Sequence, residues 1–164
     1  MITCRPHERI DISFRIKWLN NKKANVFAID DPEHETTETE QDKWFSNYEE
    51  KLKLEQKKFF TICDSDKPIG FVGLSKIDME TKSADVFIMI GEDDYRGKGI
   101  GKQALNFLIN FAFTELKLTS LTLGVDKQNE AAIRLYQSAG FKETGESDGK
   151  TILMHFDRLT EEQS

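Results

Sequence analysis

A glycine-rich stretch over residues 95–104 constrains the fold more than any other part of this 164-residue sequence. Its small residues alternate with basic and apolar ones in the order Arg96, Gly97, Lys98, Gly99, Ile100, Gly101 and Lys102. Apolar side chains then recur at spacings of three and four residues up to Ala112, which predicts a helix. The first turn of a helix has N–H groups without intrahelical partners, and glycine lets an anion approach the backbone. The stretch therefore predicts a phosphate-binding loop at a helix start.

Two other phosphate-binding patterns fit this stretch less well. In a P-loop, a glycine would stand at Arg96 and a Ser or Thr at Gln103, so that pattern fails. A dinucleotide fingerprint can be matched as Gly99-x-Gly101-x-x-Ala104, but such a fingerprint follows the first strand of its domain through a tight turn. Here the preceding strand lies several residues back, and further strand-like segments come before it. A helix start that binds no ligand remains an alternative.

A second block, over residues 129–141, carries a separate pattern. It reads Asn-x-x-Ala-x-x-x-Tyr-x-x-x-Gly-Phe, with its defined positions at Asn129, Ala132, Tyr136, Gly140 and Phe141. Asn129 is a favourable N-cap, and Gly140 a favourable stop, for the helix between them. The two blocks, in this order and at this separation, closely resemble the coenzyme A pyrophosphate loop and the later helix of the GNAT superfamily of N-acetyltransferases. The chain resembles small bacterial members that act on small molecules or on the alanine of ribosomal proteins.

This resemblance implies an α+β (α/β) fold in a single domain over residues 1–164. The expected architecture is a mixed central sheet of about six to seven strands with about four helices packed on it. By resemblance, the sheet splays between its fourth and fifth strands.

Period-two patterns and turn residues predict where the strands lie. The expected strands cover residues 1–5, 58–63, 68–77, 84–90, 121–125, 141–146 and 151–156. The second to fourth of these should form an antiparallel meander. The helix after the glycine-rich loop acts as a crossover, so the strands at 84–90 and 121–125 should be parallel. Asp148-Gly149 predicts a hairpin between the last two strands.

Residues 8–19 allow two interpretations. Every second residue is apolar, as in a strand, at Ile10, Ile12, Phe14, Ile16 and Trp18. Ile12, Ile16 and Leu19 also fit one face of a helix, so the periodicity leaves both structures open. The end of the segment, Trp18-Leu19-Asn20-Asn21, resembles the end of the first helix in many bacterial GNAT members, which favours the helix.

An acidic segment, residues 30–42, contains seven Asp or Glu residues and no Lys or Arg. Its first half is expected to be a loop, and Thr37 or Thr39 is expected to cap a helix that runs to about residue 55. The side chains on one face of that helix would be Trp44, Phe45, Tyr48 and Leu52. By resemblance this region borders the acceptor pocket, where the acids would attract a cationic acceptor. A solvated loop is the alternative.

By resemblance, the chain is an acetyl-CoA-dependent N-acetyltransferase that moves an acetyl group to a primary amine by direct attack. The acceptor would be a small amine, an amino sugar or a protein N-terminus. A coenzyme A-binding sensor without catalysis is the alternative, and an interaction module with the same fold is a further one. Direct attack needs no covalent enzyme intermediate, so a missing Cys-His or Ser-His-Asp arrangement does not argue against an enzyme.

The resemblance also assigns the cofactor site. The matching residues are Ile88, Met89, Ile90, Arg96, Gly97, Lys98, Gly99, Ile100, Gly101, Lys102 and Asn129. Backbone groups of residues 88–90 would bind the pantetheine arm, and one N–H near Met89 or Ile90 would hold the thioester carbonyl oxygen. Tyr136 matches the general acid that protonates the departing thiolate. A tyrosine that only packs in an amphipathic helix is the alternative for that position.

The general base is less well defined by the sequence. Asp85 stands where many members carry a Glu on the strand before the cofactor loop. Because Asp is one methylene shorter, a water would have to relay the proton from the amine. Glu92, and after it Asp93 and Asp94, are the next candidates, although acids in such a turn are commonly only solvated. A mechanism without a single base also remains open.

The composition excludes several other classes of protein. A net charge of −6 argues against nonspecific binding of nucleic acid. Cys4 and Cys63 form no C-x-x-C motif and the histidines are scattered, so neither a disulfide framework nor a metal site is expected. No segment has the pattern of a signal peptide or a membrane span. The expectation is a cytoplasmic protein without a membrane partner, with the formation of a homodimer left open.

Overall fold

The computed structural model describes residues 1–25 and 33–158, which form a seven-stranded sheet with helices on both faces. The strands are β1 (Ile2–Pro6), β2 (Lys58–Asp64), β3 (Lys67–Asp78), β4 (Ser83–Ile90), β5 (Ser120–Asp126), β6 (Lys142–Ser147) and β7 (Thr151–Asp157). The helices are α1 (Ile12–Leu19), α2 (Lys22–Asn25), α3 (Glu38–Lys53), α4 (Ile100–Thr114) and α5 (Glu130–Ala139). Short 3-10 segments at Arg9–Asp11 and Asp93–Tyr95 precede α1 and follow β4.

The strand order is β1-β2-β3-β4-β5-β7-β6, which contains the meander, the parallel pair and the hairpin expected from the sequence. β2, β3 and β4 form the antiparallel meander, and β6 and β7 form the C-terminal hairpin. β4 and β5 are parallel, but they pair only between Ser83–Asp85 and Ser120–Thr122. Beyond these residues the two strands separate, so the predicted splay is confirmed. The described residues contain five α-helices, and the unexpected one is the four-residue α2.

The helix predicted after the glycine-rich loop is α4, which covers one face of the sheet. Its buried side chains recur at spacings of three and four residues, at Ile100, Ala104, Leu105, Leu108, Ile109, Ala112 and Phe113. They pack with side chains of the central strands in the larger of two apolar clusters. β2 and β3 are buried over most of their length because helices cover both faces of the sheet there.

Residues 9–19 are helical, with a 3-10 turn before α1, as the resemblance favours. The buried residues of α1 are Ile12, Arg15, Trp18 and Leu19, whereas Ile10 is 75% exposed. The alternating apolar pattern is misleading for two reasons. The exposed Ile10 contributes to the alternation without facing the core, and the buried Arg15 interrupts the apolar stripe of the helix.

Trp18 fixes α1 to the end of β4. A Cβ on Gly91 would lie 2.1 Å from the Trp18 ring, so only glycine fits beneath the indole. The indole N–H donates a hydrogen bond to one Glu92 carboxylate oxygen at 2.7 Å. The Lys17 ammonium donates to the other oxygen at 3.0 Å. These contacts join the first helix to the residues that lead into the glycine-rich loop.

α3 begins within the acidic segment. The Thr37 side chain accepts a hydrogen bond from the backbone N–H three residues later at 3.2 Å, so Thr37 is the N-cap. Phe45 and Tyr48 are buried as predicted, whereas Leu52 is 36% exposed. The Tyr48 hydroxyl accepts the Phe59 N–H at 2.8 Å, and this bond ties α3 to β2.

A buried polar network joins β1 and β2 to the start of α1. The Arg5 guanidinium donates to the Asp11 carboxylate at 2.7 and 2.8 Å. The Thr61 hydroxyl donates to Asp11 at 2.9 Å and therefore accepts from Nδ1 of His7 at 2.7 Å. This arrangement assigns the His7 proton to Nδ1 and makes Nε2 an acceptor. Burial, and next the charge of Arg15, lower the pKa of His7 to about 4.

His7→Gln should flatten the dependence of folding stability on pH. The folded protein keeps His7 neutral because its pKa is lowered to about 4, whereas the unfolded chain binds the proton below a pKa of about 6.5. The stability contribution is therefore fully present above that pH and is lost as the pH falls toward 4. Urea unfolding at several pH values measures the slope. His34→Gln, at an exposed position, is the control, and a wild-type slope in His7→Gln would contradict the assignment.

Candidate active site

The separation of β4 from β5 leaves backbone groups of β4 without strand partners. The Gly91 N–H donates to the Ile69 carbonyl of β3 at 2.8 Å. In an antiparallel pair alternate residues bond to the neighbouring strand, so Ile88 and Ile90 direct their N–H and C=O groups away from β3. These groups face the gap beside β5. The corresponding groups of Met89 point to β3, so among residues 88–90 only Ile88 and Ile90 direct backbone groups into the gap.

A cleft of about 430 Å³ extends from the glycine-rich loop through this gap. Most of the predicted site residues line it, namely Ile88, Met89, Ile90, Arg96, Gly97, Gly99, Ile100, Gly101, Lys102, Asn129 and Tyr136. Lys98 and Asp85 are the predicted residues that the lining does not include. The structure thus brings the loop, the end of β4 and α5 around one space.

The glycines of the loop serve different purposes. Gly99 is the N-cap of α4 with a φ of +78°, a left-handed conformation that glycine adopts without strain. No atom lies within 4 Å of a Cβ built on Gly99, so the space above it is open to a ligand. A Cβ on Gly101 would lie 3.2 Å from the Leu135 side chain, so Gly101 allows α5 to pack closely. An anion can therefore reach the first N–H groups of α4 above Gly99.

Arg96 is already engaged within the protein. Its Nη1 donates to the Ile90 carbonyl at 2.8 Å, and its guanidinium forms an ion pair with Asp93. Its side chain is 32% exposed. Arg96 therefore braces the loop against the end of β4, and part of its positive charge is neutralised by Asp93.

α5 brings Asn129 and Tyr136 to the cleft. The Asn129 side-chain oxygen accepts the Ala132 N–H at 3.2 Å, which confirms the predicted N-cap. The Tyr136 ring is 7% exposed and meets Phe141 edge-on at 5.7 Å between centroids. Burial raises the pKa of Tyr136 to about 12, so the phenol stays protonated at neutral pH. A protonated phenol beside the gap can donate a proton to a leaving group there.

Asp85 lies at the closed end of the gap, in the last residue pair that joins β4 to β5. The Thr122 hydroxyl donates to one of its oxygens at 2.5 Å. The other oxygen is 3.7 Å from the Lys76 ammonium, and the side chain is 39% exposed. Asp85 is therefore oriented by its neighbours and accessible to water, at one side of the cleft.

Two of the other acids considered as bases, Glu92 and Asp93, are engaged in structural contacts. Burial opposes ionisation of Glu92, but hydrogen bonds from Lys17 and Trp18 outweigh it, so the pKa of Glu92 is lowered. Asp93 accepts from the Asn21 amide at 3.0 Å and pairs with Arg96. The carboxylates of Glu92 and Asp93 therefore join α1 and Asn21 to the glycine-rich loop.

Some residues of the cleft carried no signal in the sequence. They include Lys23, Ala24, Phe87, Tyr95 and Asp126. Phe87 and Asp126 belong to the strands on either side of the gap, so the splay itself points to them once it is known. Lys23 and Ala24 come from α2, far away in the sequence, and only the tertiary structure brings them to the cleft.

Two absences hold for the part of the chain that the structure describes. In residues 1–25 and 33–158, no group of three or more His, Cys, Asp or Glu side chains is arranged to hold a metal ion. Over the same ranges no helix has the length and apolar character needed to cross a membrane.

Comparison with known proteins identifies the class that this cleft defines. A family model described as an acetyltransferase (GNAT) domain matches residues 2–142, and the chain therefore belongs to the GNAT family. The chain is 31% identical to spermidine N(1)-acetyltransferase of Escherichia coli K12 over 147 residues, which cover 88% of this chain and 75% of the relative. It is 29% identical to the Vibrio cholerae spermidine N(1)-acetyltransferase over 145 residues, covering 88% and 80%. The crystal structure of the V. cholerae spermidine N-acetyltransferase with CoA and spermine matches with a TM-score of 0.82 at 26% identity, covering 96% of both chains.

The chain is thus an N-acetyltransferase that uses acetyl-CoA as its co-substrate and acetylates a primary amine. The alternative of a coenzyme A-binding domain without catalysis finds no support. One solved structure of the V. cholerae enzyme is described as dodecameric. The oligomeric state of this chain, its cytoplasmic location and the roles of its individual site residues remain predictions.

Gly99→Glu and Gly101→Glu should each abolish measurable binding of acetyl-CoA. At Gly99 a glutamate introduces a side chain and a negative charge into the open space where the pyrophosphate would bind, and it strains a φ of +78°. At Gly101 its Cβ would lie 3.2 Å from the Leu135 side chain, so it would push α5 out of position at the cleft and add a negative charge there. Isothermal titration calorimetry measures the affinity. Gly145→Glu is the matched control, because a Cβ there meets open space and the residue lies on β6. Wild-type affinity in a folded Gly99→Glu or Gly101→Glu protein would remove the loop from the cofactor site.

Tyr136→Phe should lower the rate of acetyl transfer about 10²–10⁴-fold, the usual contribution of a general acid. The ring and its contact with Phe141 are retained, so the fold and most of the affinity for acetyl-CoA should persist. Single-turnover measurement of thiol release isolates the chemical step. An unchanged single-turnover rate would mean that Tyr136 only packs in the core.

Proposed function

We propose that the acceptor of this acetyltransferase is a polyamine, which carries several cationic amines. The observation that supports this most directly is the likeness of the whole chain, cleft included, to enzymes named for spermidine. The geometry adds that the cleft is lined by α2 from one face of the sheet and by α4 and α5 from the other, so cofactor and acceptor can approach the gap from different sides. An amino sugar and a protein N-terminus, the other acceptor classes considered from the sequence, have no such support.

In the proposed reaction the pantetheine arm lies along the gap and bonds to the backbone of β4. An N–H of Ile88 or Ile90 donates to the thioester carbonyl oxygen while negative charge develops on it. The neutral amine attacks the carbonyl carbon, so a C–N bond forms and the C–S bond breaks. Tyr136 protonates the departing thiolate. The proton lost by the amine leaves through water.

Asp85 is the proposed acceptor of that proton, with a water between carboxylate and amine. Its side chain is exposed enough to contact water, and it lies at the point where β4 and β5 begin to separate. The Thr122 hydroxyl and the Lys76 ammonium orient the carboxylate from two sides. Because the Asp side chain is one methylene shorter than that of Glu, a water that relays the proton suits this position.

The acidic segment is less strongly negative in the structure than in the sequence. Its acids contact nearby basic residues in the pairs Glu33 with Lys22, Glu40 with His34 and Asp42 with Arg9. Glu35 and Glu38 are exposed. Asp30 and Asp31 lie outside the described residues. The attraction of this segment for a cation is therefore expected to be modest and screened by salt over roughly 8 Å.

The proposal is tested by measuring thiol release with spermidine, a singly charged amine, an amino sugar and a peptide N-terminus. Spermidine should give the highest kcat/KM. Neutralising Asp31→Asn, Glu33→Gln and Glu35→Gln together should raise KM for spermidine about two- to fivefold at low salt, since exposed charges contribute only modestly. The effect should fade as salt increases and should be absent for the singly charged amine.

Glu115→Gln with Glu143→Gln is the control, since both residues are exposed and lie on other elements. If spermidine is not turned over and the amino sugar is, the polyamine assignment is wrong. If both amines respond alike to neutralisation, the segment does not select for charge.

A further inference from the structure

The N-terminal part of the chain contributes a cation to the cofactor cleft. Within residues 1–25 and 33–85, only Lys23 and Ala24 line that cleft. Both belong to α2, the short helix that the sequence did not predict. Every other lining residue belongs to β4 or follows it in the chain. Lys23 therefore reaches the cleft from the side of α1 and α3.

One side chain fixes the position of Lys23 relative to the phosphate-binding loop. The Asn21 oxygen Oδ1 accepts the Lys23 backbone N–H at 3.1 Å. The Asn21 nitrogen Nδ2 donates to an Asp93 oxygen at 3.0 Å, and Asp93 also pairs with Arg96. A single amide thus connects the backbone of Lys23 to the turn that begins the loop. Lys23 lies at the loop end of the cleft.

The charges that line the cleft are not balanced within the protein. The basic lining residues are Lys23, Arg96 and Lys102, and the acidic one is Asp126. Arg96 is paired with Asp93, whereas no carboxylate among the described residues forms an ion pair with Lys23 or Lys102. The cleft therefore carries surplus positive charge at the end where a polyanion would enter.

We propose that Lys23 binds a phosphate group of acetyl-CoA, either in the pyrophosphate or on the 3′ position of the ribose. The ammonium of lysine binds phosphate oxygens as a point charge with charge-assisted hydrogen bonds. With Arg96 engaged by Asp93 and the Ile90 carbonyl, Lys23 and Lys102 supply the free positive charge for the cofactor. A residue from the acceptor side of the sheet thereby contributes to cofactor affinity.

This assignment rests on the use of acetyl-CoA and is independent of the acceptor. The opposite orientation, with Lys23 directed at the amine, would repel a polyamine and raise its KM. The two orientations give different results when one lysine is changed, because only the first affects binding in the absence of any amine.

The test compares Lys23→Gln with the matched variant Lys22→Gln. Lys22 neighbours Lys23 in α2, but it pairs with Glu33 at 2.9 Å and does not line the cleft. Calorimetry with CoA at low salt should give a Kd about three- to tenfold higher for Lys23→Gln, as expected for one exposed phosphate contact. Lys22→Gln should bind like the wild type, and Lys23→Arg should restore most of the affinity.

Two truncated ligands locate the contact. Pantetheine, which has no phosphate, should bind equally to wild type and Lys23→Gln. If Lys23→Gln also lowers the affinity for 3′-dephospho-CoA, Lys23 contacts the pyrophosphate. If the variant binds 3′-dephospho-CoA like the wild type, Lys23 contacts the 3′-phosphate. Both results support the proposal.

Two results would overturn it. The first is wild-type affinity of Lys23→Gln for CoA, and a lower KM for spermidine in the same variant would then mean that Lys23 faces the acceptor. The second is an equal loss of affinity for pantetheine. Because the titrations contain no amine, a wrong assignment of the polyamine would leave them unaffected.

Discussion

The incomplete pairing of β4 with β5 is the constraint on which the rest of the structure depends. Buried backbone N–H and C=O groups are almost always paired, since an unpaired one costs about as much as a lost hydrogen bond. Here the groups of Ile88 and Ile90 that face β5 lie near the middle of a seven-stranded sheet, and Arg96 satisfies only the Ile90 carbonyl. A ligand with amide groups of its own can satisfy the others by binding as an additional strand. The pantetheine arm of the co-substrate has that chemistry.

The turn between β4 and α4 holds the two sides of the site in one relative position. Glu92 accepts from Trp18 and Lys17, which attaches α1 to the end of β4. Asp93 accepts from Asn21 and pairs with Arg96, which attaches the junction of α1 and α2 to the phosphate-binding loop. From the sequence alone, Glu92 and Asp93 would be interpreted as solvated residues of a surface turn. In the structure they connect α1 and Asn21 to the glycine-rich loop.

The degree of burial distinguishes Tyr136, which can donate a proton, from Asp85, which can accept one. Tyr136 is enclosed by the core, and burial raises its pKa to about 12, so its phenol stays protonated at neutral pH. Asp85 is open to solvent and is oriented by Thr122. Two ionisable groups near one gap can take opposite roles because their environments differ.

The sequence by itself determined the loop, α4 and α5, because these obey local rules. Glycine permits the left-handed backbone at residue 99, Asn129 caps α5, and apolar spacing marks the buried faces. Only the tertiary structure decided what depends on residues far apart in the chain. Arg15 is buried against Trp44, with its guanidinium 3.6 Å from the ring centroid. Because this buried residue is charged, the spacing of apolar residues could not reveal which face of α1 is buried. Lys23 enters the cleft because Lys17, Trp18 and Asn21 bond to the turn after β4, which lies 72 to 75 residues further along the chain. Long-range bonds of this kind leave no local pattern in the sequence.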